Sequence, residues 1–287
     1  MHTANHYYGH AHLFADYVGI PFPVIIDGYL QHGWNLHDGF AVGTGFVPGA
    51  KLFVWSESVL RRGWAMGRRN YHVIGSAWAY LLEMEAAAAA VAMPAPDPAT
   101  ERSGTIFYPF HGWEGQEVAG DHAAMLRRLQ EVETEPLTVC LYWVEHRNDA
   151  IRAVYEDAGC RVITHGMRGF AYQGTDRDFL RKQYRELSTH KRVVSNRLGS
   201  AILYGASVGC EVGVYGDPMI LENEDPVYGG IERQKRNWPE LHQEFVPRDC
   251  VEPLAEAELG LRQVREPAEI MSLFGWTRPV SQLAAPA

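Results

Sequence analysis

The chain has 287 residues, of which 46% are hydrophobic and 21% are charged, the composition of an ordinary globular enzyme. This length suffices for two domains or for one large domain. The formal net charge of -9 argues against nucleic acid as a partner, because general nucleic-acid binding needs a concentrated basic surface. A local basic pocket for a single nucleotide is compatible with that charge.

The N-terminal sequence lacks the basic-then-apolar pattern of a secretory signal, and no apolar run approaches the roughly 20 residues that span a bilayer. We therefore expect a cytoplasmic protein, with peripheral contact with a membrane left open. The four cysteines form no CxxC pair and are expected to be buried free thiols rather than disulfides or metal ligands. They are Cys140, Cys160, Cys210 and Cys250.

The first twenty residues contain several histidines without an acid or a cysteine at metal-ligand spacing, so we expect an ordinary polar segment there. Residues 23–27 predict a short buried strand that leads into a loop rich in glycine, histidine and tryptophan. Such loops, at the carboxyl ends of strands, are where an α/β sheet places its chemistry. His32, His37 and Asp38 bring three titratable groups into this loop. The alternative is a glycine-rich connection whose aromatic side chains simply pack.

A strand–helix–strand pattern follows and predicts a parallel sheet. Residues 51–55 and 71–74 predict the strands, and Ser56 caps the helix between them. After a further helix the chain reaches residues 93–104, in which three prolines at alternate positions predict a linker. We therefore place a short first domain at 1–92 and a second domain at 105–287.

The second domain alternates near-continuous apolar strands with helices, a pattern typical of a parallel sheet that is covered on both faces. The predicted strands are 106–110, 137–143 and 161–164, and the predicted helices are 120–132, 150–158 and 176–187. After residue 215 the chain is expected to be rich in loops. The last ordered segment is expected at 256–276, with Pro267 starting the final helix.

Residues 191–218 predict an anion site. A strand at 192–194 passes through a polar turn at 195–200 into a helix at 201–207, and a further strand follows at 211–215. Free backbone N–H groups and the positive end of the helix dipole attract an anion such as a phosphate. The alternative is an ordinary helix cap beside an exposed arginine.

Several segments together resemble GT-B glycosyltransferases, most closely the bacterial enzymes of surface-polysaccharide and related glycan assembly. SNRLGSAILYGASVGCEVGVYGDP resembles the family's diphosphate-binding turn and helix, and FYPFHGWEG resembles the start of its C-terminal domain. AELGLRQVREPAEIMSLFGW resembles its closing helical segment, and QHGW, KLFVWS and YHVIGS resemble the late part of its acceptor domain.

This resemblance implies two Rossmann-like α/β domains that face each other across a cleft, the N-terminal one short. It implies a nucleotide-sugar co-substrate, no other cofactor, and a small-molecule or glycan acceptor. Because an acceptor domain of about ninety residues is short for a Rossmann-like half, a homo-oligomer or a partner chain is left open.

The donor-binding residues implied by the resemblance lie in the polar turn and at neighbouring strand ends. The turn contributes Ser195, Asn196, Arg197, Gly199 and Ser200. The other candidates are His111, Glu114, Tyr142, Arg147 and either Glu222 or Glu224 for the ribose hydroxyls. For each of these, the alternative is an ordinary hydrogen-bonded loop or a solvated surface.

For the chemistry we favour His32 as the general base that takes the proton of the acceptor hydroxyl, with His37 or Asp38 as a substitute or an orienting group. The transfer is expected to need no metal, because the helix N-terminus and an arginine would stabilise the leaving diphosphate. Two alternatives remain: a sugar-nucleotide 2-epimerase with the same architecture, and a non-catalytic GT-B-like subunit of a larger transferase.

Overall fold

The computed structural model describes residues 3–22, 25–41, 43–91, 102–113, 115–116, 118–169, 174–224 and 230–276. Most of the predicted linker, 93–104, lies outside these residues, as does everything after residue 276. Within them the chain is an α/β protein whose two larger sheets are both parallel, as predicted. A two-stranded antiparallel ribbon completes the strands.

The strands in chain order are β1 (Tyr29–Leu30), β2 (Leu52–Val54), β3 (Tyr71–Val73), β4 (Thr105–Tyr108), β5 (Val118–Ala119), β6 (Leu137–Cys140), β7 (Arg161–Ile163), β8 (Arg192–Ser195), β9 (Glu211–Val214) and β10 (Ile220–Leu221). The helices are α1 (His10–Val18), α2 (Glu57–Ala65), α3 (Ala77–Val91), α4 (His122–Val132), α5 (Trp143–His146), α6 (Asp149–Glu156), α7 (Phe179–Thr189), α8 (Ser200–Ser207), α9 (Gly230–Asn237), α10 (Arg248–Leu259) and α11 (Pro267–Phe274).

The first sheet has the order β1-β2-β3, and α2 connects its second and third strands as predicted. Ser56 caps α2, since its Oγ accepts a hydrogen bond from the Val59 N–H. The second sheet has the order β7-β6-β4-β8-β9. Its chain therefore starts at the central strand, moves to one edge, and then returns to build the other edge.

Helices cover both faces of the second sheet, because successive right-handed crossovers change face when the direction of strand addition reverses. α4 and α6 contact each other on one face, and α7 and α8 contact each other on the other. The apolar side chains of α4 and α6, such as Leu129 and Tyr155, pack on Phe107 and Val139 in one buried cluster.

The face with α7 and α8 shares one continuous core with the first sheet. That core joins Phe53 of β2 and Trp78 of α3 to Ile106 of β4 and Ile202 of α8. The C-terminal α10 packs on both α8 and α2, and α11 packs on α1. The two halves are thus joined by buried apolar contacts, while their division into two domains stays a prediction.

Three sequence predictions about local structure are wrong. The predicted polar N-terminal segment contains α1, which buries His10, Leu13 and Phe14. The strand predicted at 23–27 lies instead at Tyr29–Leu30, since the chain turns at Gly28 with a φ of 145°; Pro23 and Val24 lie outside the described residues. The strand predicted at 137–143 ends at Cys140.

The final ordered segment begins earlier than predicted. α10 starts at Arg248 and passes through Pro253, a residue that normally indicates the end of a helix. The burial of Val251, Ala255 and Leu259 on one side of α10 outweighs the loss of one backbone hydrogen bond.

Candidate functional site

A cavity of about 390 Å³ lies at the carboxyl ends of β4, β6, β7 and β8. Tyr108 ends β4 and Ser195 ends β8, the two strands pair in register at these residues, and both side chains line the cavity. The strand order reverses between these two strands. The loops that follow β4 and β8 therefore run to opposite faces of the sheet and leave a crevice between them. Open α/β sheets bind their ligands in such a crevice.

The N-terminus of α8 opens into this cavity through Gly199, Ser200 and Ala201. Gly199 is the cap residue and is extended, with φ −160° and ψ −178°. The N–H groups of Ser200 and Ala201 have no acceptor within the helix, as is general for a first helical turn. These donors and the helix dipole give this part of the cavity an affinity for anions.

A loop of the first half closes over the same helix end. The Trp34 N–H donates a hydrogen bond to the Ser200 Oγ at 3.0 Å, and His32, Gly33, Asn35 and Leu36 line the cavity beside it. The loop therefore brings side chains of the first half within reach of a ligand bound at α8.

A buried ion pair holds this loop. Glu258 of α10 accepts hydrogen bonds from both terminal nitrogens of Arg62 of α2, at 3.1 and 3.0 Å, and from the Trp34 indole at 2.9 Å. Arg62 in turn donates to the carbonyl oxygens of Asn35 and His37. The Glu258 side chain is 4% exposed. α2, α10 and the loop are therefore locked together by charge-assisted hydrogen bonds that water barely reaches.

His32 lines the cavity, and its buried Nδ1 has no hydrogen-bond partner among the described residues. Its ring centroid lies 4.6 Å from that of Tyr7 and 5.2 Å from that of Tyr8. Burial, followed by the positive charge of Arg168, holds the pKa of His32 well below its ordinary value. The imidazole is therefore neutral at pH 7 and able to accept a proton.

The end of the cavity near β6 and β7 carries polar groups that are neutral at pH 7. The Tyr108 hydroxyl lies 2.9 Å from the His165 Nε2, and Gln183 also hydrogen-bonds this hydroxyl. Burial lowers the pKa of His165 to about 4 and raises the pKa values of Tyr108 and Cys140. This end therefore suits an uncharged polar group, whereas the α8 end suits an anion.

Of the residues predicted as catalytic, only His32 reaches the cavity. Asp38 is buried, with its Oδ2 2.7 Å from the Arg68 Nε and its Oδ1 accepting the Phe40 N–H. The His37 Nδ1 lies 3.3 Å from Asp38. These two side chains face α2 and the turn after it, and neither lines the cavity.

Of the residues predicted to bind the donor, seven line the cavity: His111, Tyr142, Ser195, Arg197, Gly199, Ser200 and Glu224. The His111 ring stacks on Tyr142, with 4.4 Å between centroids. Arg147 instead lies over the Trp143 ring, and Glu222 is an exposed turn residue that does not line the cavity. Glu114 lies outside the described residues.

The polar turn is held mainly by its own side chains. The Asn196 side chain accepts the Phe110 N–H at 2.6 Å and donates to the Asp217 carbonyl at 2.8 Å, so it joins β4 to β9. Arg197 donates to the carbonyls of Pro218 and Met219 and pairs with Glu224 at 3.2 Å. Its charge is therefore largely compensated within the protein.

The cavity also has lining residues that the sequence did not single out: Tyr8, Tyr108, His165, Gln183 and Gln234. Gln234 of α9 accepts the Leu198 N–H and donates to the Leu198 carbonyl, so it ties α9 to the polar turn. Of these five, only Tyr108 could have been recognised from the sequence as a site residue, because it stands near the end of a predicted strand. The others lie inside helices, turns or strand ends where sequence alone does not show the direction of a side chain.

Asp176 and Asp178 have the Asp-x-Asp spacing of a common metal-binding motif, which the prediction of a metal-free site overlooked. The Asp176 carboxylate pairs with Lys182 and accepts the Asp178 N–H at 3.0 Å. Neither aspartate lines the cavity. Across the described ranges, no group of histidine, cysteine or acidic side chains is arranged to hold a metal ion.

Removal of the Glu258 carboxylate should unlock the loop. Glu258→Ala leaves the Arg62 charge and the Trp34 indole without their partner, so we expect the free energy of unfolding to fall by about 3 kcal/mol. Glu256→Ala, on the same helix, removes only an exposed pair with Arg262 and should cost less than about 1 kcal/mol. Urea denaturation measures both, and equal losses would contradict the proposed role of the buried pair.

Acid should destabilise the fold through His165. Its pKa is about 4 when folded and about 6.5 when unfolded, so the unfolded chain binds the proton more readily. The contribution of neutral His165 to the free energy of unfolding is therefore fully present above pH 7 and is lost as the pH drops from 6.5 towards 4. Between pH 7.5 and pH 5 this group accounts for a loss of about 2 kcal/mol. In His165→Gln the acid-induced loss should be smaller by that amount; an unchanged loss would contradict the assignment.

No family model and no curated protein matches the chain. Among solved structures, a putative UDP-N-acetylglucosamine 2-epimerase from Listeria monocytogenes is 14% identical with a TM-score of 0.38, over 80% of this chain and 60% of that one. The UDP-GlcNAc 2-epimerase from Neisseria meningitidis bound to UDP-GlcNAc is 12% identical with a TM-score of 0.37, over 78% and 59%. The wall teichoic acid polymerase TagF is 9% identical with a TM-score of 0.34, over 78% and 53%.

The chain thus spans about 60% of the length of the epimerase chains that it matches. Nucleotide-sugar enzymes are among the similar structures. At these TM-scores and identities, the similarities do not bear on what this protein does.

Proposed function

We propose that the protein binds a nucleotide-linked sugar in the cavity, with the diphosphate against the N-terminus of α8. The observation that carries this proposal is the position of free N–H donors, at Ser200 and Ala201, at the reversal of strand order in a parallel sheet. A volume of about 390 Å³ is within the range of small-molecule sites.

The lining supports a ligand that is charged in one part and neutral in the others. Tyr142, which stacks on His111, and Phe110, which lies under Arg197, give the cavity an apolar part, and the Tyr108–His165 pair suits hydroxyl or carbonyl groups. Glu224, rather than Glu222, lines the cavity, which supports the proposal that Glu224 is the carboxylate that would bond a ribose diol. A nucleoside diphosphate sugar combines these groups in one molecule.

We further propose glycosyl transfer with inversion at the anomeric carbon. A bond forms between the acceptor hydroxyl oxygen and that carbon as its bond to the diphosphate oxygen breaks, and His32 takes the hydroxyl proton. The α8 N-terminus stabilises the charge that develops on the leaving diphosphate. Arg197 contributes less than the sequence suggested, because Glu224 already compensates its charge.

For the acceptor we propose only a chemical class, namely a small molecule or a glycan that offers a hydroxyl group. It would approach from the side of the loop that carries His32 and Trp34. The three strands of the first sheet keep open the expectation that a second copy or a partner chain completes this side.

A second candidate function is 2-epimerisation of the donor sugar. It is favoured by one observation: His111 and His32 both line the cavity. Two acid–base groups around one sugar could remove and return a proton at the same carbon. Conversion of the nucleotide sugar to an epimer without any acceptor would favour this candidate.

Replacement of the base should separate binding from catalysis. With a panel of nucleotide sugars and acceptor alcohols, His32→Ala should lower turnover by at least about a hundredfold and change the donor Kd by less than about threefold. His37→Ala, in the same loop but outside the cavity, is the matched control for turnover. Because the pKa of His32 is lowered, wild-type turnover should not decline until the pH falls below about 6.5.

Near-normal turnover in His32→Ala would contradict the assigned base. A failure of wild-type protein to bind any nucleotide sugar at millimolar concentration, measured by calorimetry, would contradict both candidate functions.

A further inference from the structure

The first half of the chain carries a local excess of positive charge. Residues 39–82 contain Lys51, Arg61, Arg62, Arg68 and Arg69 but a single acidic residue, Glu57, in a chain whose net charge is -9. The rest of the molecule is therefore strongly acidic. Such an asymmetry orients a protein towards a negatively charged surface.

Exposed apolar side chains lie in the same segment. In the described part of the chain, eight large apolar side chains are exposed, and three of them are Val47, Trp64 and Met66. Trp64 is 54% exposed at the end of α2, although a side chain of this size is usually largely buried.

These side chains belong to two segments that lie side by side. The Asn70 side chain donates to the Gly49 carbonyl at 3.1 Å, and the Arg68 guanidinium lies 4.8 Å from the centre of the Phe46 ring. The loop that contains Val47 is therefore held against the turn that follows α2.

Two of the arginines on this side have no carboxylate partner among the described residues. Within the described ranges, Arg61 hydrogen-bonds the Ser58 hydroxyl alone, at 3.4 Å, and Arg69 donates to the carbonyls of Arg68 and Trp64. Arg62 and Arg68, by contrast, pair with Glu258 and Asp38. Arg61 and Arg69 thus keep their charge for an external anion.

We propose that a basic–aromatic surface, made of Val47, Arg61, Trp64, Met66 and Arg69, docks on an anionic lipid bilayer. Arginine side chains pair with lipid phosphates, and tryptophan prefers the boundary between headgroups and acyl chains. No helix in the described residues is long and apolar enough to cross a bilayer, so contact through this surface would be peripheral.

Charge complementarity favours a membrane over other partners. A bilayer offers both a continuous anionic plane and an apolar layer beneath it, which together match exposed arginines interspersed with tryptophan and methionine. The acidic remainder of the chain is repelled by the same plane and would keep this one face turned towards it.

Two arginines that neighbour the surface residues in sequence, Arg62 and Arg68, contact the loop of the candidate site. Arg68 binds Asp38 at 2.7 Å, and Arg62 donates to the His37 carbonyl at 3.1 Å, in the loop whose other side lines the cavity. Membrane docking would therefore place this loop, and the cavity that it lines, near the lipid headgroups. The proposal rests on the surface itself and is independent of the reaction proposed above.

The test is co-sedimentation with vesicles of phosphatidylcholine, with and without about 30% phosphatidylglycerol. Wild-type protein should bind the anionic vesicles and be released by salt. Arg61→Gln with Arg69→Gln should weaken binding by about 30-fold, because each arginine near an anionic surface contributes about fivefold. Trp64→Ser should weaken binding at both low and high salt.

The matched control is Arg127→Gln with Arg185→Gln, which removes the same charge from exposed positions on α4 and α7. It should leave vesicle binding unchanged, and circular dichroism should show that every variant is folded. Equal weakening by both pairs would overturn the proposal, as would wild-type protein that ignores anionic vesicles. Binding of a DNA duplex through the same arginines, without vesicle binding, would also overturn it.

Discussion

The reversal of strand order beside β4 is the constraint on which the rest of the site depends. Because the chain builds β6 and β7 on one side of β4 and then β8 and β9 on the other, the covering helices change face. A crevice is left where the loops diverge, and the N-terminus of α8 must open into it. The proposed binding of an anion therefore rests on topology and on an extended Gly199, and it does not require a free cation.

The buried Arg62–Glu258 pair decides what faces that crevice. It joins a helix of the first half to a helix near the C-terminus and fixes the loop that carries His32 and Trp34. The same loop is contacted by Arg62 and Arg68, which are neighbours in sequence of Arg61 and Arg69 of the basic–aromatic surface. A single cluster of charged hydrogen bonds thus relates the cavity, the candidate base and the proposed membrane face, while the continuous core supplies the rigidity that keeps them in place.

Features governed by local interactions were predictable from the sequence. Ser56 caps α2 as predicted, and α8 begins one residue before its predicted start and ends at its predicted end, because capping and turn residues act on their own neighbourhood. Features governed by distant contacts were not. Three features depend on segments that are far apart in sequence. Arg197 pairs with Glu224, Asp38 pairs with Arg68 instead of facing the cavity, and His165 lies beside Tyr108 at the uncharged end of the cavity. α10 was missed in part because tertiary burial overrides the proline signal.

The measurement that tests the central claim most directly is a crystal structure of the protein with a nucleoside diphosphate, soaked as UDP, CDP, GDP and ADP in turn. The account predicts that phosphate oxygens lie about 2.7–3.2 Å from the backbone nitrogens of Ser200 and Ala201, with His32 across the cavity from them. A diphosphate bound away from the N-terminus of α8, or a cavity that none of the four nucleotides enters at saturating concentration, would contradict it.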